Sequence, residues 1–179
     1  MVLAVAAVSL ALDFATKELV LARFQPGERL PVVGELLQIT LIFNPGAAFS
    51  IGTGMTWVFS LITIGVAGYI IGMSRKLRSL PWGISLGLIL GGALGNLVDR
   101  LFRPPSPLHG HVVDWIQLPH WPVFNLADSS LVAGSALAVL LAFRGINIDG
   151  TREGEAGPEE KAGAESASEE TSEEKGDRP

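Results

Sequence analysis

The chain of 179 residues is long enough for one domain, and 48% of its residues are hydrophobic. It contains no cysteine, which excludes disulfides, thiol catalysis and thiolate metal sites. The formal net charge is −5, but residues 149–179 carry −7 and residues 1–148 carry +2, so the acidity belongs to the tail. The body has no basic face, and a nucleic-acid partner is therefore not expected.

Four apolar stretches, at about residues 1–22, 54–74, 80–98 and 126–143, predict an all-α membrane protein with four transmembrane helices. The second and third contain no charged residue, and each is close to the ~20 residues that cross a bilayer core as a helix. The first is interrupted by Asp13, Lys17 and Glu18. A cleaved secretory signal is its alternative, although a basic n-region is missing and charges stand where the apolar h-region should continue.

The remaining segments predict a small extracytoplasmic β-rich loop region and a tail. Residues 24–51 contain the alternating run LLQITLIF, which favours a short strand or hairpin. The third span has a glycine at every fourth position, which favours close packing of another helix within the bundle or across a dimer. These are Gly83, Gly87, Gly91 and Gly95. Residues 1–148 are predicted to form a membrane-embedded domain, and residues 149–179, without an aromatic residue, a disordered acidic cytoplasmic tail.

Basic residues predict the orientation. Arg75, Lys76 and Arg78 fill the loop between the second and third spans, and Arg144 and Arg152 follow the fourth. The positive-inside rule places these segments and both termini in the cytoplasm. Residues 23–51 and 99–125 then lie outside, although four arginines in those segments weaken the bias.

Two groups of ionisable residues have simple interpretations. Asp13 and Lys17 are four residues apart on one helix face, and a structural ion pair is favoured over a catalytic role. His109, His111 and His120 share one loop, but the carboxylate and histidine framing usual for a metal site is missing. Solvated histidines are favoured, and no metal or other cofactor is expected.

Three aspartates approach the predicted outer face. Asp99 follows Asn96 and adjoins Arg100, its expected partner, which suggests a supporting role for Asp99. Asp114 and Asp128 lie in largely uncharged surroundings. Two close carboxylates share a proton, so that one activates a water molecule and the other polarises a carbonyl group, as in aspartic peptidases. Helix capping by both residues is an equally good interpretation of the pattern alone. A small transporter or a structural scaffold is the rival class of function.

Five segments in order resemble the lipoprotein signal peptidase (signal peptidase II) family. They are DFATK (13–17), NPGAAFS (44–50), GGALGNLVDR (91–100), VVDW (112–115) and FNLADSS (124–130). Together they cover nearly all of the membrane body, and only Phe14 departs from the polar residue found in many members. The tail lies outside the resemblance.

The resemblance implies an intramembrane aspartic endopeptidase with Asp114 and Asp128 as its catalytic residues. By the same match Asn44 and Arg100 hold the substrate backbone, and Gly46, Ala47 and Ala48 form a tight loop facing the site. The supporting residues that it implies are Asn96, Asp99, Asn125, Asp13 and Lys17.

The family's substrate is a bacterial prolipoprotein whose cysteine already carries diacylglycerol, and cleavage falls just before that cysteine. Its inhibitor is the cyclic peptide globomycin. The resemblance also implies a bacterial cytoplasmic membrane location, with the active site at the extracytoplasmic face and open to membrane lipid.

Overall fold

The computed structural model describes residues 1–46, 56–75 and 77–152, which form four α-helices and three β-strands. The helices are α1 (Val2–Arg23), α2 (Thr56–Met73), α3 (Leu80–Phe102) and α4 (Leu126–Phe143). The strands are β1 (Arg29–Val33), β2 (Leu37–Asn44) and β3 (Val112–Gln117). The predicted positions 54 and 55, Lys76 and residues 153–179 of the tail lie outside the described residues.

Helices α2, α3 and α4 are each long and apolar enough to cross a membrane. The prediction for residues 126–143 coincides with α4. Helix α3 instead continues past the predicted end at residue 98 to Phe102, so Asp99 and Arg100 are helical residues and not part of a loop. Hydropathy placed the end of this span too early, because the charged residues Asp99 and Arg100 interrupt the apolar run although the helix continues through them.

Helix α3 is central, and its glycine positions explain how closely the other helices approach it. A methyl group added at Gly91 would lie 2.6 Å from Ser9 Cβ and 2.8 Å from the backbone oxygen of Ala6, both in α1. Gly87 and Gly95 likewise face Val5 and Asp13 of α1. The bundle interpretation of the glycine spacing is therefore confirmed, since this face is occupied by a helix of the same chain.

The prediction of a short strand or hairpin within residues 24–51 is also confirmed, and the structure shows a hairpin. Strands β1 and β2 pair antiparallel, and β2 pairs antiparallel with β3, giving a three-stranded sheet in the order β1-β2-β3. In this register Asn44 lies opposite Val112 and Ile42 lies opposite Asp114. After β3 the chain turns and Phe124 bridges back to Ile116, which leads directly into α4. The sheet therefore holds β3 beside the first turn of α4.

We expect Gly91→Ala to lower the melting temperature in detergent by several degrees. The added methyl group meets α1 atoms closer than van der Waals contact, and overpacking of this kind costs roughly 1–3 kcal/mol. Gly68→Ala is the matched control, because no atom lies within 4 Å of the methyl group added there. Equal melting temperatures for the two variants would contradict the packing of α1 on α3.

Candidate active site

Asp114 lies in β3 and is only 2% exposed, yet no cation in the described ranges forms an ion pair with it. Two amide side chains solvate its carboxylate instead. Asn44 Nδ2 donates to Oδ2 at 2.8 Å, and Asn125 Nδ2 donates to Oδ1 at 2.7 Å. Asn44 reaches Asp114 as a diagonal neighbour across the β2–β3 pair.

Asp128 occupies the first turn of α4 and is half-buried. The N-cap is Asn125, whose Oδ1 accepts from the Asp128 amide at 2.9 Å, while Asp128 Oδ2 accepts from the Asn125 amide at 3.2 Å. This reciprocal capping box satisfies two amides at the start of the helix. The capping interpretation holds only in part, because the N-cap is Asn125, Asp128 joins the capping box from the third helical position, and Asp114 lies in a strand. The other oxygen of Asp128, Oδ1, accepts from Asn96 Nδ2 at 2.7 Å.

The two carboxylates are connected through the asparagines that contact them. Asn125 Nδ2, which donates to Asp114, also lies 3.1 Å from Asn96 Oδ1, and Asn96 donates to Asp128. The structure thus brings both sequence-predicted aspartates into one hydrogen-bonded cluster.

Burial raises the pKa of Asp114 from its ordinary value to about 7, because desolvation disfavours the charged form. The hydrogen bond from Asn44 lowers this pKa, and the negative charge of Asp128 raises it. The hydrogen bond from Asn125 and the positive charge of Lys17 lower it further. The carboxyl group of Asp114 therefore exchanges its proton near neutral pH, as acid–base catalysis requires.

The Asp13–Lys17 ion pair is present, but Lys17 is shared with a second carboxylate. Lys17 Nζ lies 2.7 Å from Asp13 Oδ2 and 2.8 Å from Asp99 Oδ2, and all three side chains are 1% exposed. The expectation that Arg100 partners Asp99 is wrong. Asp99 pairs with Lys17 and with Arg103, which is one helical turn further along α3.

Arg103 is a residue that the sequence reasoning missed. It also pairs with Glu18 at 2.7 Å, and so connects α3 to α1 at the rim of the buried cluster. Its spacing of four residues from Asp99 is a signal that would have identified it, had α3 been predicted to extend beyond residue 98.

Arg100 lies beside the start of the loop that follows β2. Its Nη1 atom is buried without a hydrogen-bond partner among the described residues. Gly46 approaches it with φ of +89°, and a methyl group there would lie 2.8 Å from Nη1. The Gly46 amide also donates to Asn44 Oδ1 at 2.8 Å, which turns Asn44 Nδ2 toward Asp114. Ala47 and Ala48 lie outside the described residues.

The predicted histidines take no part in this cluster. His109 and His111 precede β3 and are half-buried, and His120 is exposed in the turn after it. Over the described ranges, no group of three or more His, Asp or Glu side chains is arranged to hold a metal ion.

The fold is that of a bacterial membrane enzyme. Two solved structures, each described as a bacterial membrane enzyme determined by the in meso method, superpose with TM-scores of 0.71 and 0.70. They are 29% and 30% identical to this chain and cover 79% and 80% of it, while the match covers 87% and 92% of those chains.

The chain belongs to the signal peptidase II family, because the family model described as Signal peptidase (SPase) II matches residues 5–144. Lipoprotein signal peptidases of Mycobacterium avium and Rhodococcus jostii are 51% and 49% identical to it. These matches cover 83% and 84% of this chain and 82% and 76% of the relatives. The lipoprotein signal peptidase of Leifsonia xyli is 47% identical over 94% of this chain and 76% of its own length. Family membership decides for a protease and against a transporter or a scaffold.

We expect Asn44→Ala to raise the pKa of Asp114 above its value of about 7, because the lost hydrogen bond stabilises the ionised form. The pKa can be followed by the carboxylic C=O infrared band as a function of pH, with the band assigned by its loss in Asp114→Asn. Gln38→Ala, on the same strand at its pairing with Gln117, is the control and should leave the titration in place. An unchanged or lowered pKa in Asn44→Ala would contradict the hydrogen-bonding arrangement.

Proposed function

We propose that this chain cleaves diacylglyceryl-modified bacterial prolipoproteins just before the lipidated cysteine, with Asp114 and Asp128 as the catalytic pair. Family membership supports the reaction, since a signal peptidase II processes prolipoproteins. One observation carries the residue assignment. Asp114 is buried without an ion-pairing cation in the described part of the chain, and two asparagines connect it to Asp128.

The environments of the two carboxylates assign their roles. Asp114, with its pKa raised to about 7, retains a proton near neutrality and donates a hydrogen bond to the scissile carbonyl oxygen. Asp128 is more accessible and acts as the base. It takes a proton from water as the water oxygen bonds to the carbonyl carbon, and it passes that proton to the leaving amine nitrogen as the C–N bond breaks.

Arg100 and Asn44 flank this pair and would hold the substrate backbone. The buried Nη1 atom of Arg100 has no acceptor among the described residues, which fits a guanidinium that donates to a substrate carbonyl. Gly46 permits this position, because any side chain there would collide with Arg100. Asn96, Asp99 and Asn125 would support the pair from behind.

Helix α1 completes a bundle of four membrane spans in this proposal. Its charged residues Asp13 and Lys17 are buried against α3, whereas Leu3, Val8 and Leu12 are exposed. An apolar exterior around buried charges is the arrangement expected of a helix in lipid, where ionisable groups face the bundle interior. Residues 1–148 then form the membrane domain.

The active site would lie at the extracytoplasmic face of the bacterial cytoplasmic membrane. Arg75, Arg78 and Arg144 stand at the end of the bundle opposite the sheet, and the positive-inside rule places that end and both termini in the cytoplasm. Trp57 and Trp121 are exposed on the sheet side, as interfacial aromatic residues are. Within the described ranges α2 packs on no helix but α3, which leaves a side open to membrane lipid, to the substrate's acyl chains and to globomycin.

We expect Asp114→Asn and Asp128→Asn each to abolish cleavage of a purified diacylglyceryl prolipoprotein, because each keeps the side-chain shape but removes the titration. General acid–base groups contribute roughly 10²–10⁴-fold to rate, so a loss of at least that size is expected. Both variants should keep the melting temperature of the unmodified protein within a few degrees and should still bind globomycin. Near-normal turnover in either variant would end the aspartic mechanism for this chain.

We expect a cysteine placed at position 106 to react with an impermeant thiol reagent in intact cells and a cysteine at position 77 to resist it. Both are clean reporters, because the chain has no other cysteine. Labelling of both after membrane permeabilisation is the control for reactivity. The reverse pattern in intact cells would overturn the proposed orientation.

A further inference from the structure

We propose that Lys17 is a positioning residue for the Asp114–Asp128 pair: without touching substrate, its ammonium group fixes β3 relative to α4 and turns the Asn96 amide toward Asp128. This inference rests on the proposed function and goes beyond the structural ion pair favoured for Asp13 and Lys17, because it specifies which contacts of Lys17 act on the two aspartates. It is carried by three sets of buried contacts.

The first contacts hold the backbone beside each aspartate. Asp13 Oδ1 accepts from the amide of Ala127 at 2.8 Å, and Asp99 Oδ2 accepts from the amide of Val113 at 3.1 Å. Ala127 directly precedes Asp128, and Val113 directly precedes Asp114. Each member of the proposed pair therefore follows a backbone amide that is held by a buried carboxylate.

The second contacts join those two carboxylates. Lys17 Nζ lies within 2.8 Å of both Asp13 Oδ2 and Asp99 Oδ2. Without the cation, two negative charges with 1% exposure would repel each other, and they stand on helices α1 and α3. Since each holds one of the two amides, their separation controls the separation of Asp114 from Asp128.

The third contact acts on the amide that bridges to Asp128. Lys17 Nζ lies 3.2 Å from Asn96 Oδ1, and Asn96 Nδ2 donates to Asp128 Oδ1 at 2.7 Å. A lysine can only donate, so it selects the orientation of Asn96 in which the oxygen faces Lys17 and the NH₂ group faces Asp128. The same orientation offers Oδ1 to Asn125, which donates to Asp114.

The charge of Lys17 also reaches the pair directly. The charged groups around Asp114 are Asp128 from α4, Lys17 from α1, and Asp99 and Arg100 from α3. Among these, Lys17 lowers the pKa of Asp114. Removal of the Lys17 charge should therefore raise the pKa of Asp114 and keep this residue protonated to higher pH. The alkaline limb of the kcat–pH profile should then shift to higher pH.

The variant that separates positioning from stability is Lys17→Met combined with Asp13→Asn. The asparagine can still accept from the Ala127 amide, and Asp99, the one carboxylate that remains of the two bound by Lys17, keeps Arg103 as its partner. We expect a melting temperature close to that of the unmodified protein and an unchanged KM, because Lys17 does not touch substrate. We expect kcat to fall at least tenfold, as loss of a supporting hydrogen-bond partner typically causes, and the alkaline limb to shift to higher pH.

Glu18→Gln is the matched control, since it removes a charge at the neighbouring position on the exposed side of α1. It should retain the kcat and the pH profile of the unmodified protein. A stable double variant with normal kcat and an unshifted profile would overturn the proposal, as would a loss confined to KM.

If the double variant does not fold, Asn96→Leu provides a second test. It removes the side-chain amide that connects Lys17 to Asp128 and changes no charge. We expect at least a tenfold loss of kcat with little change in KM, and full activity would overturn the proposal. Failure of the proposed function is distinguishable, because the unmodified protein would then not cleave the prolipoprotein at all.

Discussion

The structure depends on how one cation and two carboxylates are accommodated where water cannot reach them. Lys17 offsets Asp13 and Asp99 together, and Arg103 supplies the second positive charge from the rim. Leaving one such group unpaired costs about 3–5 kcal/mol, so the cluster forms as a unit or not at all. Because the carboxylates also bind backbone amides of β3 and α4, satisfying these charges brings together the sheet, the central helix and the last helix.

Asp114 is buried as deeply as Asp13 and Asp99, but amide groups and not a cation solvate its carboxylate. This difference distinguishes the proposed catalytic aspartate from the two proposed supporting ones. An ammonium group close to a carboxylate favours the ionised form strongly, whereas the hydrogen bonds from Asn44 and Asn125 only partly offset desolvation. The pKa of Asp114 therefore stays near 7, and its proton remains exchangeable. Lys17, which contacts Asn96 and not Asp114, lowers the pKa of Asp114 without forming an ion pair with it.

Local patterns in the sequence predicted the parts of this arrangement that depend on neighbouring residues. Hydropathy gave the limits of α4, alternation gave strand β2, and spacing by four gave the Asp13–Lys17 contact. The resemblance indicated the site residues, but no local rule gives their connections. The contacts of Asp13 with Ala127 and of Lys17 with Asn96 join residues far apart in sequence, and only the packing of α1 on α4 and on α3 brings them within reach.

A site that hydrolyses a lipid-anchored peptide must be open both to lipid and to water, because the scissile bond reaches it from the membrane and the nucleophile is water. The junction of the sheet with α4 meets both demands in the proposed orientation. Asp114 sits on the buried side, in β3, while Asp128 occupies the half-buried first turn of α4, where a helix has unpaired amides and polar residues concentrate. The capping box stabilises that polar helix end beside apolar surroundings. One oxygen of Asp128 accepts from the Asn125 amide, and the other accepts from the side chain of Asn96. A proposed base at a helix start can therefore take its proton from water on the outer side while the rest of the helix carries no charged residue.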